Sequence, residues 1–167
     1  MLAETQSLLH TTVESPIGAL LLVGDGEALR GLYMQDGPRP VRVGEGWTSA
    51  GEPFDEAREQ LGQYFAGERT EFDLRLEASG SPFQRRVWSA LEEIPYGSTL
   101  SYGELARGLG PEADARGVGS ANARNPISII VPCHRVIGAD GTLTGYGGGL
   151  ERKRFLLDLE AGTPAIL

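Results

Sequence analysis

Ile129-Ile130-Val131-Pro132-Cys133-His134-Arg135-Val136-Ile137 is the stretch on which the reading of this chain turns, because it sets the only cysteine of 167 residues beside one of only two histidines. Three β-branched residues precede Pro132 and two follow Arg135, which predicts apolar, extended, buried backbone on both sides of the pair. A thiol is a nucleophile when ionised, and a free cysteine pKa of about 8.5 has to be lowered by a base or a positive setting. His134 is the base at hand. Adjacent residues of an extended segment point to opposite faces, so the pair needs either a bridging water or a sharp turn at Pro132-Cys133. An imidazole base also needs a carboxylate to orient its second nitrogen. Glu160, on the last predicted helix, is favoured over Glu151, Asp158 and Asp140. The bland alternative is a lone buried cysteine acting as a small hydrophobe.

Upstream of this stretch the periodicity is helical. Ser81 as N-cap and Pro82 at the first helical position open a segment with Phe83, Val87, Trp88 and Leu91 on one face, closed by Ile94-Pro95-Tyr96-Gly97. A second helix is predicted from Tyr102 to Arg107 after Ser101, and a third from Glu112 to about Arg124, beyond the turn Gly108-Leu109-Gly110-Pro111. Two short helices joined by a glycine-containing turn resemble a helix-turn-helix. The third helix is built of small residues, Ala113, Ala115, Gly117, Gly119, Ser120, Ala121 and Ala123, with Arg116 and Arg124 among them. Each mid-helix glycine costs about 1 kcal/mol relative to alanine, so a close approach is the expected reason. Tight helix packing and insertion into a widened minor groove explain it equally well. Downstream, Ala139-Asp140-Gly141 is a tight turn and Thr144–Gly149 a glycine-rich loop that lacks a Walker lysine and a dinucleotide fingerprint. The last helix is predicted over Leu150–Ala161, with Phe155, Leu156 and Leu159 inward.

The first half reads differently. Leu8–Val13, Ala19–Val23 and Leu29–Met34 form a β-meander pattern, residues 35–53 read as irregular, Phe54–Phe65 as a helix and Phe72–Leu76 as one more strand. Glu77–Ser81 is the boundary candidate, giving domains 1–78 and 79–167. Residues 1–78 hold 6 Arg against 14 acids, whereas residues 79–167 hold 9 Lys plus Arg against 9 acids, so the whole net charge of −8 lies in the first half. The neutral half is the one able to meet a polyanion. One cysteine and two histidines exclude an internal disulfide and a four-ligand structural zinc, and no cofactor or metal is signalled. Met1–Gln6 lacks the start of a secretory signal and no long apolar run occurs, so no membrane partner and a cytoplasmic location are expected.

Pro132-Cys133-His134-Arg135-Val136, Ile94-Pro95-Tyr96-Gly97, Ser101-Tyr102-Gly103-Glu104-Leu105-Ala106, Arg116-Gly117-Val118-Gly119, Asn125-Pro126 and Tyr146-Gly147-Gly148-Gly149, in that set, resemble the O6-alkylguanine-DNA alkyltransferase family. The resemblance implies an α+β chain, with a small ribonuclease-H-like α/β domain followed by a mostly helical domain that carries a helix-turn-helix and the active-site cysteine. It implies transfer of the alkyl group from O6-alkylguanine, and from O4-alkylthymine, in double-stranded DNA to Cys133, once per molecule. Its catalytic set is Cys133, His134, Glu160, Tyr102 and Asn125. Arg116 would replace a guanine turned out of the stack, with Ser101, Tyr102, Ala115, Gly119, Ala123 and Arg124 on the DNA side. Val136, Tyr146 and Gly147 would line the base pocket. Arg85, Arg86, Arg107 and Arg124 are phosphate-contact candidates. A monomer that clusters on DNA is the implied assembly. Gly147 stands where some relatives have serine, which bears on pocket shape, and the extra zinc ligands of some relatives are missing. Two readings compete: a non-catalytic helix-turn-helix lesion-binding protein, and a Cys-His hydrolase.

Overall fold

The computed structural model describes residues 8–162, so the readings made on Met1–Gln6 and on the outer ends of the two domains lie outside the described residues. Strands β1 (Leu9–Val13), β2 (Leu20–Gly24) and β3 (Leu29–Met34) form an antiparallel meander, and a short β4 (Thr48–Ser49) pairs in parallel with β1. The sheet order is β3-β2-β1-β4. β2 is buried along its whole length, as its unbroken Leu20-Leu21-Leu22-Val23 run requires of a strand covered on both faces. Helix α1 (Asp55–Phe65) follows, with Ala57, Leu61 and Tyr64 buried.

The second half holds α2 (Pro82–Leu91), β5 (Leu100–Ser101), α3 (Tyr102–Leu109), α4 (Ala115–Ala123), β6 (Val136–Ile137) and α5 (Leu150–Glu160). Helices α2 and α3 start where the sequence says they should. Ser81 accepts from the Gln84 amide while Gln84 returns the bond, and Ser101 and Glu104 do the same. Each such cap stabilises its helix by about 1 kcal/mol. Val87, Trp88 and Leu91 bury the inner face of α2, and the Trp88 indole donates to the Ala121 carbonyl at 2.8 Å, tying α2 to α4. Helices α3 and α4 form the helix-turn-helix. β5 and β6 pair in parallel, which brings Ser101, at the head of α3, beside Ile137 just after the Cys-His stretch.

Four expectations change. Phe72–Leu76 is not a strand: only Leu76 bridges to Leu29, because that short segment runs along the end of β3 without a partner to extend the ladder. Residues 35–53 are not wholly irregular, since they contain β4. α4 begins at Ala115, not Glu112, because Asp114 takes an extended backbone and caps the Gly117 amide at 2.7 Å. The segment before Pro132 is not extended. Ser128–Ile130 form a turn, and Ile129 has φ +72°, the one positive-φ residue other than glycine among the described residues. A β-branched residue there is strained by about 1–3 kcal/mol.

That strain is held by both halves. β3 donates from the Leu32 amide to the Pro126 carbonyl and accepts from the Ser128 amide. Asn125, buried, donates to the Val131 carbonyl at 2.8 Å and accepts from the Ile127 amide at 3.0 Å. The sheet edge and one amide side chain thus clamp the turn that precedes Cys133.

Candidate active site

Beyond the clamped turn, Cys133–Arg135 wind into a single 3-10 turn rather than continuing as a strand, and all three side chains are buried. The chain does turn sharply at Pro132-Cys133, but the turn makes no thiol–imidazole hydrogen bond, so of the two solutions open for the Cys-His pair the bridging water is the one that remains. His134 donates from Nε2 to Glu160 Oε2 at 2.7 Å, with the neutral imidazole protonated on that nitrogen, and is wholly shielded from solvent. Its Nδ1 is buried with no hydrogen-bond partner in the protein, which leaves a lone pair available as a base. Burial pushes the His134 pKa down, against the opposing pull of Glu160.

Glu160 is the hub of the cluster. Arg135 donates from Nε to Oε1 at 2.7 Å and from Nη2 to Oε2 at 3.0 Å, and Tyr64 Oη donates to Oε2 at 2.5 Å. Burial alone would raise its pKa. The bonds from His134, Arg135 and Tyr64 outweigh that and hold the carboxyl at about 2. Arg135 also donates to the Ile94 carbonyl at 2.6 Å, so the turn closing α2 is fastened to the same cluster.

Cys133 lies on the wall of a cavity of about 340 Å³, together with Asn122, Asn125, Ser128, Tyr146, Gly147 and, from the first half, Tyr33, Met34 and Arg39. The thiol pKa is raised, not lowered, in the free protein: burial outweighs the opposing influence of Asn125, Lys153 and Ser128. The resting pair is thus a neutral thiol beside a neutral imidazole. Val136, expected in the pocket, is not among its lining residues; it is wholly buried and its carbonyl accepts from Lys153 Nζ at 2.6 Å.

Lys153 is the residue that sequence reading missed. It has no solvent exposure, and its ammonium donates to the carbonyls of Val136 and Thr144, at 2.6 and 2.9 Å. Burial pulls its pKa down and the nearby Cys133 pushes it back up. The sequence signal was its place on α5: Lys153, Leu156 and Glu160 share one face at helical spacing. Asn122, which donates to the Cys133 carbonyl at 3.3 Å, was missed as well.

Of the proposed DNA-side residues, Ala123 and Arg124 line the same cavity as Cys133, and the others are not in its lining. Ala115, Arg116, Ala123 and Arg124 are exposed along α4, and Gly119 is half-buried against the Tyr102 ring. A methyl at Gly119 would meet that ring at 3.7 Å, an ordinary contact, so packing within the protein does not demand glycine there; at Gly117 it would meet the Asp114 cap at 3.1 Å. Tyr102 donates to the Thr144 carbonyl at 3.4 Å, which places it near the glycine-rich loop but not in the lining of the cavity. Ser101 is spent on its cap. Arg85, Arg107 and Arg124 are exposed, while Arg86 donates to the Leu109 carbonyl at 2.6 Å and braces the end of α3. Among the described residues no cluster of three or more His, Cys, Asp or Glu could hold a metal, and no helix is long and apolar enough to cross a membrane.

Fold and site together define a class: a two-part α+β protein whose helix-turn-helix half carries a single buried cysteine against an imidazole-carboxylate relay. The profile of the 6-O-methylguanine DNA methyltransferase ribonuclease-like domain matches residues 8–78, and that of the DNA binding domain matches residues 82–162. The methylated-DNA–protein-cysteine methyltransferase of Mycolicibacterium paratuberculosis is 59% identical over 152 residues, covering 90% of this chain and 91% of that protein. That of Methanosarcina acetivorans is 52% identical over 153 residues, covering 92% and 98%. The solved structure of Mycobacterium tuberculosis OGT in complex with DNA superposes with a TM-score of 0.86 at 52% identity, covering 94% of this chain and 96% of that one. The chain belongs to the methylated-DNA–protein-cysteine methyltransferase, or O6-alkylguanine-DNA alkyltransferase, family.

Proposed function

We propose that this protein repairs double-stranded DNA by taking the alkyl group of O6-alkylguanine, and of O4-alkylthymine, onto Cys133 in one irreversible event. The observation that carries the reading is the pairing of a cavity-lining thiol with an imidazole whose Nδ1 is free and whose Nε2 is held by a carboxylate. In the reaction His134 Nδ1 takes the thiol proton through a water, and Glu160 stabilises the imidazolium. The thiolate attacks the alkyl carbon, a C–S bond forms, and the O6–C bond breaks with its electron pair on the purine. Tyr102 hydrogen-bonds to the leaving base as charge develops on it, and the proton that His134 took from the thiol is the one that ends, through solvent, on the base to give neutral guanine. Asn125 holds the turn that aims Cys133. The product is a thioether with no readily hydrolysed bond, so the protein is consumed.

The resting thiol is uncharged, so the thiolate forms only as its proton passes to His134 during the reaction. Tyr146 and Gly147 line that pocket, with Val136 behind it. The base arrives by rotation out of the duplex, with Arg116 filling the gap. The exposed small-residue face of α4 and the dispensable bareness of Gly119 support close approach to DNA through Ala115, Gly119, Ala123 and Arg124, with Ser101 and Tyr102 at the edge. Arg85, Arg107 and Arg124 are free to meet phosphates. We read the chain as two domains, 1–78 and 79–167, as a monomer that can cluster on DNA, and as a protein of the cytoplasm.

Incubation with a duplex containing O6-methylguanine tests this. Loss of repair in Cys133→Ala with DNA binding retained is the expected result, and unchanged repair would overturn it. Arg116→Ala is expected to slow repair of duplex while sparing reaction with a free alkylated base; equal loss on both would make Arg116 structural.

A further inference from the structure

We propose that Tyr64, on α1 of the first half, is a positioning residue for alkyl transfer in the second half: its hydroxyl donates to Glu160 Oε2 and fixes the carboxylate that orients His134. The two residues lie 96 positions apart and meet at 2.5 Å in the buried interior. Tyr64 is wholly buried, and its ring is wedged by Phe65 and Phe72, both 5.3 Å away between centroids, and by Tyr96 at 6.3 Å. Phenylalanine would fill that space as well. The hydroxyl is what needs an explanation, because burying it costs free energy unless it is bonded, and the bond it makes is to the group that governs the base.

The carboxylate can only accept, so Tyr64 is the donor. Oε2 then receives three donors, Tyr64 Oη, His134 Nε2 and Arg135 Nη2. Each donated bond draws charge from the carboxylate and weakens its hold on the imidazole proton. Removing the tyrosine bond therefore makes Glu160 a stronger acceptor and His134 a stronger, earlier-protonated base. The other groups that face the pair all remain: Arg135 from the 3-10 turn, Tyr96 from the turn after α2, Tyr146 and Cys133 across the cavity, and Lys153 on α5. Burial first, and then the Glu160 charge, keep the Tyr64 hydroxyl protonated far above its ordinary range, so it remains a donor at every relevant pH.

This inference rests on His134 being the base, and the test separates the two. With histidine labelled in nitrogen-15, only His10 and His134 report. In Tyr64→Phe the midpoint of the His134 titration should rise by about one pH unit. The acidic limb of the alkyl-transfer rate should move by the same amount, so that below the midpoint the rate at a fixed pH falls roughly tenfold. Phe65→Leu, which loosens the same cluster without touching Glu160, should lower stability and shift neither. An unmoved His134 titration in folded Tyr64→Phe, or an equal shift in Phe65→Leu, would overturn the proposal. If the unaltered protein takes no alkyl group, the functional reading fails, and the histidine titration still decides the role of Tyr64.

Discussion

Lys153 and Glu160 lie on one face of α5, two turns apart, and carry buried charges that are satisfied in opposite ways. Glu160 is closed: a guanidinium, an imidazole and a phenol fill its acceptors. Lys153 is open, since it touches two carbonyl dipoles and no carboxylate among the described residues. Burial penalises it, and the group whose ionisation would relieve that penalty is Cys133, because each favours the charged form of the other. The closed charge belongs to the resting fold, and the open one is matched to a thiolate that exists only during reaction. The two charges of one helix thus differ in when they are matched: Glu160 already in the resting fold, where it also holds the base, and Lys153 only once the thiolate forms.

The sharpest way to break that contrast is at the closed end. Glu160→Ala leaves Arg135 buried without a counter-charge, and a loss of about 3–5 kcal/mol is expected in urea unfolding. Lys153→Met, which keeps the length and drops the charge, should cost no more than about 1–2 kcal/mol, because a desolvated cation goes with its two bonds. Alkyl transfer to Cys133 should fall about tenfold or more, the effect of one pKa unit on the thiolate. Equal destabilisation by the two variants would erase the contrast.

Acid unfolding sharpens it further. His134 and Glu160 both have folded pKa values below their unfolded ones, so each contributes stability that is present above the unfolded pKa and lost as pH falls. Stability should decline first below about pH 6.5 and again between about 4.3 and the folded Glu160 value, where it loses at most about 3 kcal/mol. Glu160→Gln should flatten the second limb in pH-dependent urea unfolding. The smallest effect lies away from both ends: Ser81→Ala removes a cap of α2, with a cost of about 1 kcal/mol and an unchanged alkyl-transfer rate.

Much of this was legible from local signals. Ser81-Pro82 and Ser101 announced two helix starts, and the need of His134 for a carboxylate on the last helix pointed to Glu160. What stayed hidden depends on partners far away in sequence. Lys153 sits in Arg152-Lys153-Arg154, which reads as a solvated face, and nothing local says that its ammonium meets the carbonyls of residues 136 and 144. Tyr64 fits the apolar stripe of α1, but the destination of its hydroxyl is 96 residues on. The alternation of Phe72–Leu76 predicted a strand, yet a strand needs a free edge beside it, and β3 spends part of its own on Pro126 and Ser128. The Cys133 thiol was expected to be acidified, and burial reverses that in the resting state.

Titrating a fixed amount of protein with excess O6-methylguanine duplex, counting repaired bases and weighing the protein, decides whether Cys133 is a one-use alkyl acceptor. A plateau at one repaired base per molecule, with one methyl group on Cys133, is the predicted result. Repair that continues past one base per molecule, or a methyl group found elsewhere or not at all, would contradict it.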